Sequence, residues 1–186
     1  DTFRVNLNDG FDSFDGGDGT DTVLATANGV AIGLMGNYVN GVEVFSANGK
    51  ASVTILGDWT SQTLDFSTTT LIGIAAINGA DGNDTITGSA AADVIIGGNG
   101  NDTLNGSGGN DVFEVGKSDG FDSFTGGSGS DTVKATADGV DIGLSGNYAN
   151  SVETFSSGGN AGVTIQGDWT SQVLDFSDTL LDGITA

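Results

Sequence analysis

Hydrophobic residues along much of this chain occur singly, about one in every nine positions, each in a short polar run that follows a glycine-rich loop. The clearest example spans residues 97–105 and reads GGNGNDTLN. Its Thr-Leu-Asn end predicts a three-residue strand with one side chain pointing inward. Its glycines permit a positive-φ backbone that turns carbonyl oxygens inward, and its aspartate adds a carboxylate. Near-complete copies occupy residues 16–24 and 126–134.

Between residues 77 and 134 these units follow one another as half-coils, and each offers one aspartate and one inward apolar residue. The apolar series is Ile86, Ile95, Leu104, Phe113, Phe124 and Val133. If two half-coils make one turn, alternate aspartates stack on the same edge. One edge would then carry Asp84, Asp102 and Asp122, and the other would carry Asp93, Asp111 and Asp131. The start of the chain repeats the end of this pattern with Asp1, Asp12 and Asp21. Such a nonapeptide period predicts a parallel β-helix that binds Ca²⁺.

Residues 25–76 and 135–186 show a different pattern, in which short alternating strands recur with a period near eleven. This pattern predicts wider turns of the same solenoid that lack metal. An alternative interpretation treats Asn28-Gly29, Asn40-Gly41 and Asn48-Gly49 as hairpin turns, which would give an antiparallel sandwich. We favour the continuous solenoid, because the second copy replaces these dipeptides with residues that a coil corner tolerates equally well.

The chain contains a long repeat of 110 residues, because residues 111–186 align with residues 1–76 without a gap and are identical at 51 positions. We therefore expect three segments: a first long repeat at 1–76, a calcium-binding block at 77–134, and the metal-free strands of the second repeat at 135–186. Together they are expected to form one solenoid in an array protein. The chain begins inside the pattern, so we expect it to be a segment of a larger protein.

Composition favours a hard cation over other partners. Twenty-five acidic residues against four basic ones give a formal charge of −21, which argues against nucleic acid as a partner. With no cysteine and no histidine, the available metal ligands are oxygens, which select Ca²⁺ before Mg²⁺. The same inventory leaves serine and threonine without an activating base, so we expect no enzymatic activity. The apolar runs are too short for insertion into a membrane.

With these repeats in place, the chain resembles the repeats-in-toxin (RTX) family, also called hemolysin-type calcium-binding repeats. The resemblance covers residues 1–24 and 77–134 and implies a right-handed parallel β-roll with several Ca²⁺ ions between its turns. It also implies secretion from a Gram-negative bacterium, typically by type I export, with folding outside the cell. The carboxylate ligands it implies are Asp21, Asp84, Asp102, Asp111 and Asp131. The loop glycines it implies, for carbonyls or turn geometry, are Gly79, Gly97, Gly100, Gly126 and Gly129.

Some loops depart from the family pattern. The loop before Asp93 has alanine where the fourth-position glycine belongs, so we expect a weaker site there. Asp12 and Asp122 lie in degenerate loops and are expected to bind weakly or to serve as corners, and Asp1 is a further candidate ligand.

The expected function is a calcium-binding structural spacer of a large secreted or cell-surface bacterial protein, such as an adhesin or an S-layer component. Its partners would be calcium ions and neighbouring copies of the same repeat. An alternative is a carbohydrate- or surface-binding module attached to a secreted enzyme, in which Trp59 and Trp169 contact surface glycans. For these tryptophans we favour a simpler role, in which each ring covers a face or corner of the solenoid.

Overall fold

The backbone winds into a β-solenoid of about eight turns, which confirms the all-β prediction. The computed structural model describes residues 1–149 and 151–185; Asn150, in the second metal-free segment, and Ala186 lie outside the described residues. Within those ranges every strand pairs with its neighbours in parallel, and there is no helix that could span a membrane.

The strands are short, with two to five residues each. The first eleven are β1 (Thr2–Val5), β2 (Phe11–Asp12), β3 (Thr22–Ala25), β4 (Ala31–Leu34), β5 (Tyr38–Val39), β6 (Val44–Ser46), β7 (Thr54–Gly57), β8 (Thr63–Asp65), β9 (Thr70–Ile72), β10 (Ala76–Asn78) and β11 (Thr85–Thr87). The other eleven are β12 (Val94–Ile96), β13 (Thr103–Asn105), β14 (Val112–Val115), β15 (Phe121–Thr125), β16 (Thr132–Ala135), β17 (Asp141–Leu144), β18 (Tyr148–Ala149), β19 (Thr154–Ser156), β20 (Thr164–Gly167), β21 (Leu174–Asp175) and β22 (Leu180–Asp182).

Turns in the nonapeptide block are the narrowest. Thr85 pairs with Thr103, so one turn takes 18 residues and contains two strands, one per nonapeptide. Val44 pairs with Thr70, so the corresponding metal-free turn takes 26 residues and contains the three strands β6, β7 and β8. The metal-free segments are therefore solenoid turns, as favoured above, and the antiparallel sandwich is wrong. Asn48 and Gly49 form a corner with φ of 53° and 71° rather than a hairpin.

The interior of the narrow turns is filled by two facing columns of apolar side chains, one from each sheet. All six inward residues expected from the nonapeptide pattern are buried, with at most 4% of each exposed. Ile86, for example, pairs with Leu104, and Leu104 pairs with Phe124. One side chain per strand fills the space because the two facing strands lie close together.

The wider turns enclose more volume and fill it with aromatic rings. Tyr38 stacks on Phe66 at a centroid distance of 4.9 Å, and both rings meet Phe45 edge-on at 5.4 and 5.7 Å. The buried Tyr38 hydroxyl donates to the Val42 carbonyl at 2.8 Å. The second repeat builds the same cluster from Tyr148, Phe155 and Phe176.

Equivalent strands of the two long repeats lie in different sheets. Strand β4 belongs to the nine-stranded sheet, whereas its sequence equivalent β17 belongs to the seven-stranded sheet. The shift arises in the nonapeptide block, where two strands per turn replace three. The four-stranded sheet β1-β3-β6-β9 ends before this block, and the sheet β18-β21 begins after it. Successive long repeats therefore present the same residues on different sides of the solenoid.

Replacing Leu104 by Asn should destabilise the fold without removing a carboxylate. Leu104 is 1% exposed, so the variant loses apolar burial and leaves an amide without partners, at a cost of about 3 kcal/mol. Thr103→Asn is the matched control, because Thr103 is the exposed neighbour on the same strand. Urea denaturation at saturating calcium measures both variants. Equal stabilities would contradict the inward assignment of Leu104.

Candidate metal centre

The nonapeptide loops stack directly on one another, backbone against backbone. Gly98 and Gly100 adopt φ of 100° and 142°, a region that favours glycine. A Cβ at either position would also collide with a carbonyl of the loop one turn earlier, from Ala80 or Gly82. The glycines thus permit both the turn and the close approach of successive loops.

Two rows of aspartates follow the two edges of this stack, as the alternation predicted. In the first aspartate row (Asp84, Asp102, Asp122), the amide of Asp84 donates to Oδ1 of Asp102 at 2.7 Å. The amide of Asp102 donates to Oδ1 of Asp122 at 2.9 Å. Each carboxylate is therefore fixed by the backbone of the neighbouring turn through one of its two oxygens.

The second aspartate row (Asp93, Asp111, Asp131) is built in the same way. The amide of Asp93 donates to Oδ1 of Asp111 at 2.8 Å, and the amide of Asp111 donates to Oδ1 of Asp131 at 2.8 Å. In the first repeat, the terminal nitrogen of Asp1 likewise contacts Oδ1 of Asp21.

The second carboxylate oxygen of five aspartates is buried and has no hydrogen-bond partner. These oxygens are Oδ2 of Asp21, Asp84, Asp102, Asp111 and Asp131, the same five aspartates that the resemblance implied as ligands. A buried, unpartnered carboxylate oxygen is costly unless a cation or a donor compensates it. Their common orientation within the stack therefore fits a row of bound cations.

Backbone carbonyls complete the donor set around these oxygens. Gly79 has no side chain, and the space that a Cβ would fill faces both Oδ2 of Asp84 and the carbonyl oxygen of Gly97. Gly106 similarly faces Oδ2 of Asp111 and the carbonyl of Gly126. In residues 1–149 and 151–185, no group of three or more acidic side chains converges on one point. Each position instead combines carboxylate with carbonyl oxygens, the hard ligands that Ca²⁺ prefers.

Burial raises the pKa of several carboxyl groups in the two rows. It raises the pKa of Asp84, Asp102 and Asp111 to about 6 each, and neighbouring carboxylates add to the effect. The pKa of Asp122 rises to about 8, again mainly through burial. Hydrogen bonds from backbone amides oppose these shifts but do not cancel them. The electrostatics of the row therefore favour either protons or a bound cation.

Asp93 differs from the other members of its row. Its Oδ2 accepts hydrogen bonds from the amide and the hydroxyl of Ser89, at 2.6 and 2.9 Å. Ser89 thus donates to the carboxylate oxygen that has no hydrogen-bond partner at Asp84 and Asp102. The weaker site expected at Asp93 stays a prediction, but this contact gives it a structural basis.

The three candidates in degenerate or incomplete loops are placed differently from one another. Asp1 and Asp12 are exposed, whereas Asp122 is 3% exposed and belongs to the first row. Among the predicted glycines, Gly79, Gly97 and Gly126 lie against the free aspartate oxygens. Gly100 and Gly129 instead supply left-handed turn geometry, each with φ of 142°.

Two glutamates extend the rows and were missed in the sequence. Oε2 of Glu43 accepts the amide of Asp21 at 2.7 Å, and Oε2 of Glu153 accepts the amide of Asp131 at 2.7 Å. Each glutamate accepts the amide that the aspartate of the following turn accepts elsewhere in the rows. The 22-residue spacing from aspartate to glutamate recurs in both long repeats and was the available signal.

A row of asparagines runs outside the aspartates and was also missed. The amide of Asn101 donates to Oδ1 of Asn83 at 2.9 Å, and the amide of Phe121 donates to Oδ1 of Asn101 at 2.9 Å. Asn110 accepts from the Ser130 amide at 3.0 Å in the same way. The fifth position of the nonapeptide therefore supports the loop stack without a charge.

The family model for the RTX calcium-binding nonapeptide repeat matches four copies in this chain, over residues 4–27, 78–113 and 118–138. The chain carries RTX calcium-binding repeats. The matched segments contain all five unpartnered oxygens, and the RTX repeats bind several Ca²⁺ ions. Neither curated proteins nor solved structures gave a match to the chain.

The raised pKa values predict opposite pH responses with and without calcium. In chelator, the folded state binds protons up to about pH 6, and at Asp122 up to about pH 8, while unfolded aspartates release them near 3.8. Stability without calcium should therefore fall as the pH rises from about 4 to about 8. In calcium, protons compete with the cation, so affinity should fall as the pH drops below about 6.

Thermal melts in chelator across this pH range test the predicted change in stability. Calcium titrations across the same range test the predicted change in affinity. High salt serves as the control, because it screens exposed charges much more than buried ones. A chelated fold that becomes more stable as the pH rises would contradict the buried, unpaired state of these carboxylates.

Proposed function

We propose that this chain is a calcium-stiffened spacer of a large secreted or cell-surface bacterial protein, of the adhesin or S-layer type. The observation that carries the proposal is the set of five buried, unpartnered carboxylate oxygens in stacked RTX loops. Such a stack is suited to holding turns together through shared cations, and it offers no group for catalysis. The proposed role is therefore mechanical and not enzymatic.

In this proposal the ligands come from two sources. Oδ2 of Asp21, Asp84, Asp102, Asp111 and Asp131 provides the carboxylate oxygens. Glycine carbonyls, such as those of Gly97 and Gly126, provide neutral oxygens from the adjacent turn. Glu43 and Glu153 add a carboxylate at the end of a row, which keeps the last position charged.

Calcium binding would be coupled to folding. A chain with a charge of −21 repels itself, and each Ca²⁺ cancels two negative charges while fixing two loops. Extracellular calcium modules bind with Kd on the order of 10⁻⁴ to 10⁻³ M. Sites of this strength would leave the calcium-binding turns unfolded inside a cell and folded outside it, which suits a protein that completes its folding after export.

The spacer role is supported by the sheets that run along the solenoid. The nine-stranded sheet extends from β2 to β22 and includes strands from all three proposed segments. Sheet hydrogen bonds thus pass from the first metal-free turns through the nonapeptide block into the second repeat. We infer that tandem copies form a stiff rod whose length depends on their number.

The proposal is tested by adding Ca²⁺, Mg²⁺ or chelator to the purified chain. We expect a gain of β structure in circular dichroism and an elongated particle in small-angle scattering with calcium but not with Mg²⁺, because Mg²⁺ gives up its water reluctantly. In chelator, the nonapeptide block should expand. A cooperative melt that is unchanged by chelation, or a near-spherical particle in calcium, would contradict the proposal.

Asp102→Asn should weaken calcium binding more than Asp93→Asn. Asp102 has a free buried oxygen, whereas Oδ2 of Asp93 already accepts two hydrogen bonds from Ser89. Loss of one charged ligand should cost about tenfold in affinity at the Asp102 site. Calcium titration calorimetry compares the two variants, each of which keeps an acceptor for the adjacent backbone amide. Equal losses would show that the free oxygens do not mark the ligands.

A second candidate function is glycan binding by the two tryptophans. Trp59 and Trp169 are 71% and 88% exposed, so most of each side chain is accessible to a ligand. Each ring meets a phenylalanine edge-on, Phe11 at 5.5 Å and Phe121 at 6.2 Å, which leaves much of its surface accessible. Exposed, oriented aromatic rings are suited to stacking on sugars.

A glycan array with the parent chain and with a Trp59→Ala, Trp169→Ala double variant tests this candidate. Binding by the parent that the double variant loses, with calcium affinity unchanged, would establish it. The absence of binding by the parent would leave the spacer function alone.

A further inference from the structure

The loop at residues 57–65 is a nonapeptide loop that the aspartate pattern does not reveal. Its strand β8 pairs with β11, in register with the pairing of β11 and β13. The Ser61 hydroxyl accepts the Asn83 amide at 2.8 Å, in the place of a fifth-position asparagine. The amide of Gln62 donates to Oδ1 of Asp84 at 2.7 Å, as the amide of Asp84 does to Asp102. Gln62 therefore occupies the sixth position, where the calcium loops have aspartate.

The side chain of Gln62 has all its hydrogen bonds inside the protein. It is 3% exposed, and its Nε2 donates to the carbonyls of Leu34 and Gly36 at 3.2 and 2.5 Å. Its Oε1 accepts the amide of Asp58 at 2.8 Å and lies over Gly57. In the calcium loops, the unpartnered aspartate Oδ2 lies over the equivalent glycine. At Gln62, by contrast, the Asp58 amide donates to the side-chain oxygen, and the side-chain NH₂ group faces the carbonyls of Leu34 and Gly36.

We propose that the Gln62 amide takes the place of a calcium ion and closes the end of the first aspartate row without metal. Its NH₂ group brings positive partial charge to carbonyl oxygens that a cation would otherwise neutralise. Because the side chain is neutral, the loop needs no counter-ion and keeps its geometry at any calcium concentration.

The second repeat contains part of the same arrangement. Nε2 of Gln172 donates to the Leu144 carbonyl at 2.9 Å. Asp168 accepts the Gly146 amide at 2.9 Å, as Asp58 accepts the Gly36 amide at 2.8 Å. Both long repeats thus place a glutamine amide against the carbonyl of an equivalent leucine.

The inference rests on the proposed calcium-coupled function and refines it. The amide-closed loop belongs to the metal-free turns, whose aromatic clusters provide a core of their own. These turns would stay ordered in chelator and present the Gln62 N–H to Asp84. The calcium turns would then assemble against an existing edge, which avoids the cost of starting a solenoid from a disordered chain.

Replacing Gln62 by Glu tests the assignment, because Glu has the same shape but no amide donor. The variant places a carboxylate opposite the carbonyls of Leu34 and Gly36, and we expect it to bind one more Ca²⁺ per chain in titration calorimetry. Gln166→Glu is the matched control, since it adds the same charge at an exposed position and should leave the count unchanged.

Hydrogen exchange of the parent chain in chelator gives a second measurement that does not depend on folding of the variant. The amides of Gly36 and Asp58 should exchange about tenfold or more slowly relative to those of Asp84 and Asp102. Equal exchange would overturn the inference, as would a Gln62→Glu chain that folds and binds no additional ion. A parent chain that binds no calcium at all would instead overturn the proposed function.

Discussion

A carboxylate oxygen buried in turn after turn, with no donor to satisfy it, is the constraint on which this solenoid depends. The stacked loops fix one oxygen of aspartates such as Asp84 and Asp111 by a backbone amide and leave the other facing glycine and carbonyl oxygens. A bound cation or a proton compensates that arrangement. The narrow turn, the glycine-rich loop and the binding of calcium by the RTX repeats follow from the same geometry.

The metal-free turns solve the same structural problem in another way. They use three strands per turn, enclose stacked aromatic rings, and close one loop with a glutamine amide. Their stability comes from apolar burial and neutral hydrogen bonds, so it does not depend on an ion. A unit that combines the two kinds of turn has a part that would respond to calcium and a part that would not. The change from three strands per turn to two also moves equivalent strands into different sheets. Successive units therefore present the same residues on different sides of the solenoid.

Much of the calcium block was predictable because its chemistry is local. Glycine at fixed positions, aspartate at the sixth and one apolar residue at the eighth specify loop, ligand and core within nine residues, and Leu104 and Asp102 lie where that pattern predicts. The missed features depend on pairing between distant residues. Glu153 replaces an aspartate 22 residues after Asp131, and Gln62 occupies a loop without the glycine signature. Three strands per turn and the sheet shift could not be inferred from an eleven-residue period alone.

Anomalous diffraction from crystals grown in calcium would test the central claim most directly, because it locates each ion. Calcium should lie about 2.3–2.6 Å from Oδ2 of aspartates such as Asp102 and Asp111, in contact with glycine carbonyls of the adjacent turn. No ion should lie beside the amide of Gln62. Ions found only at exposed acidic side chains, with Oδ2 of the row aspartates still unpartnered, would contradict this account.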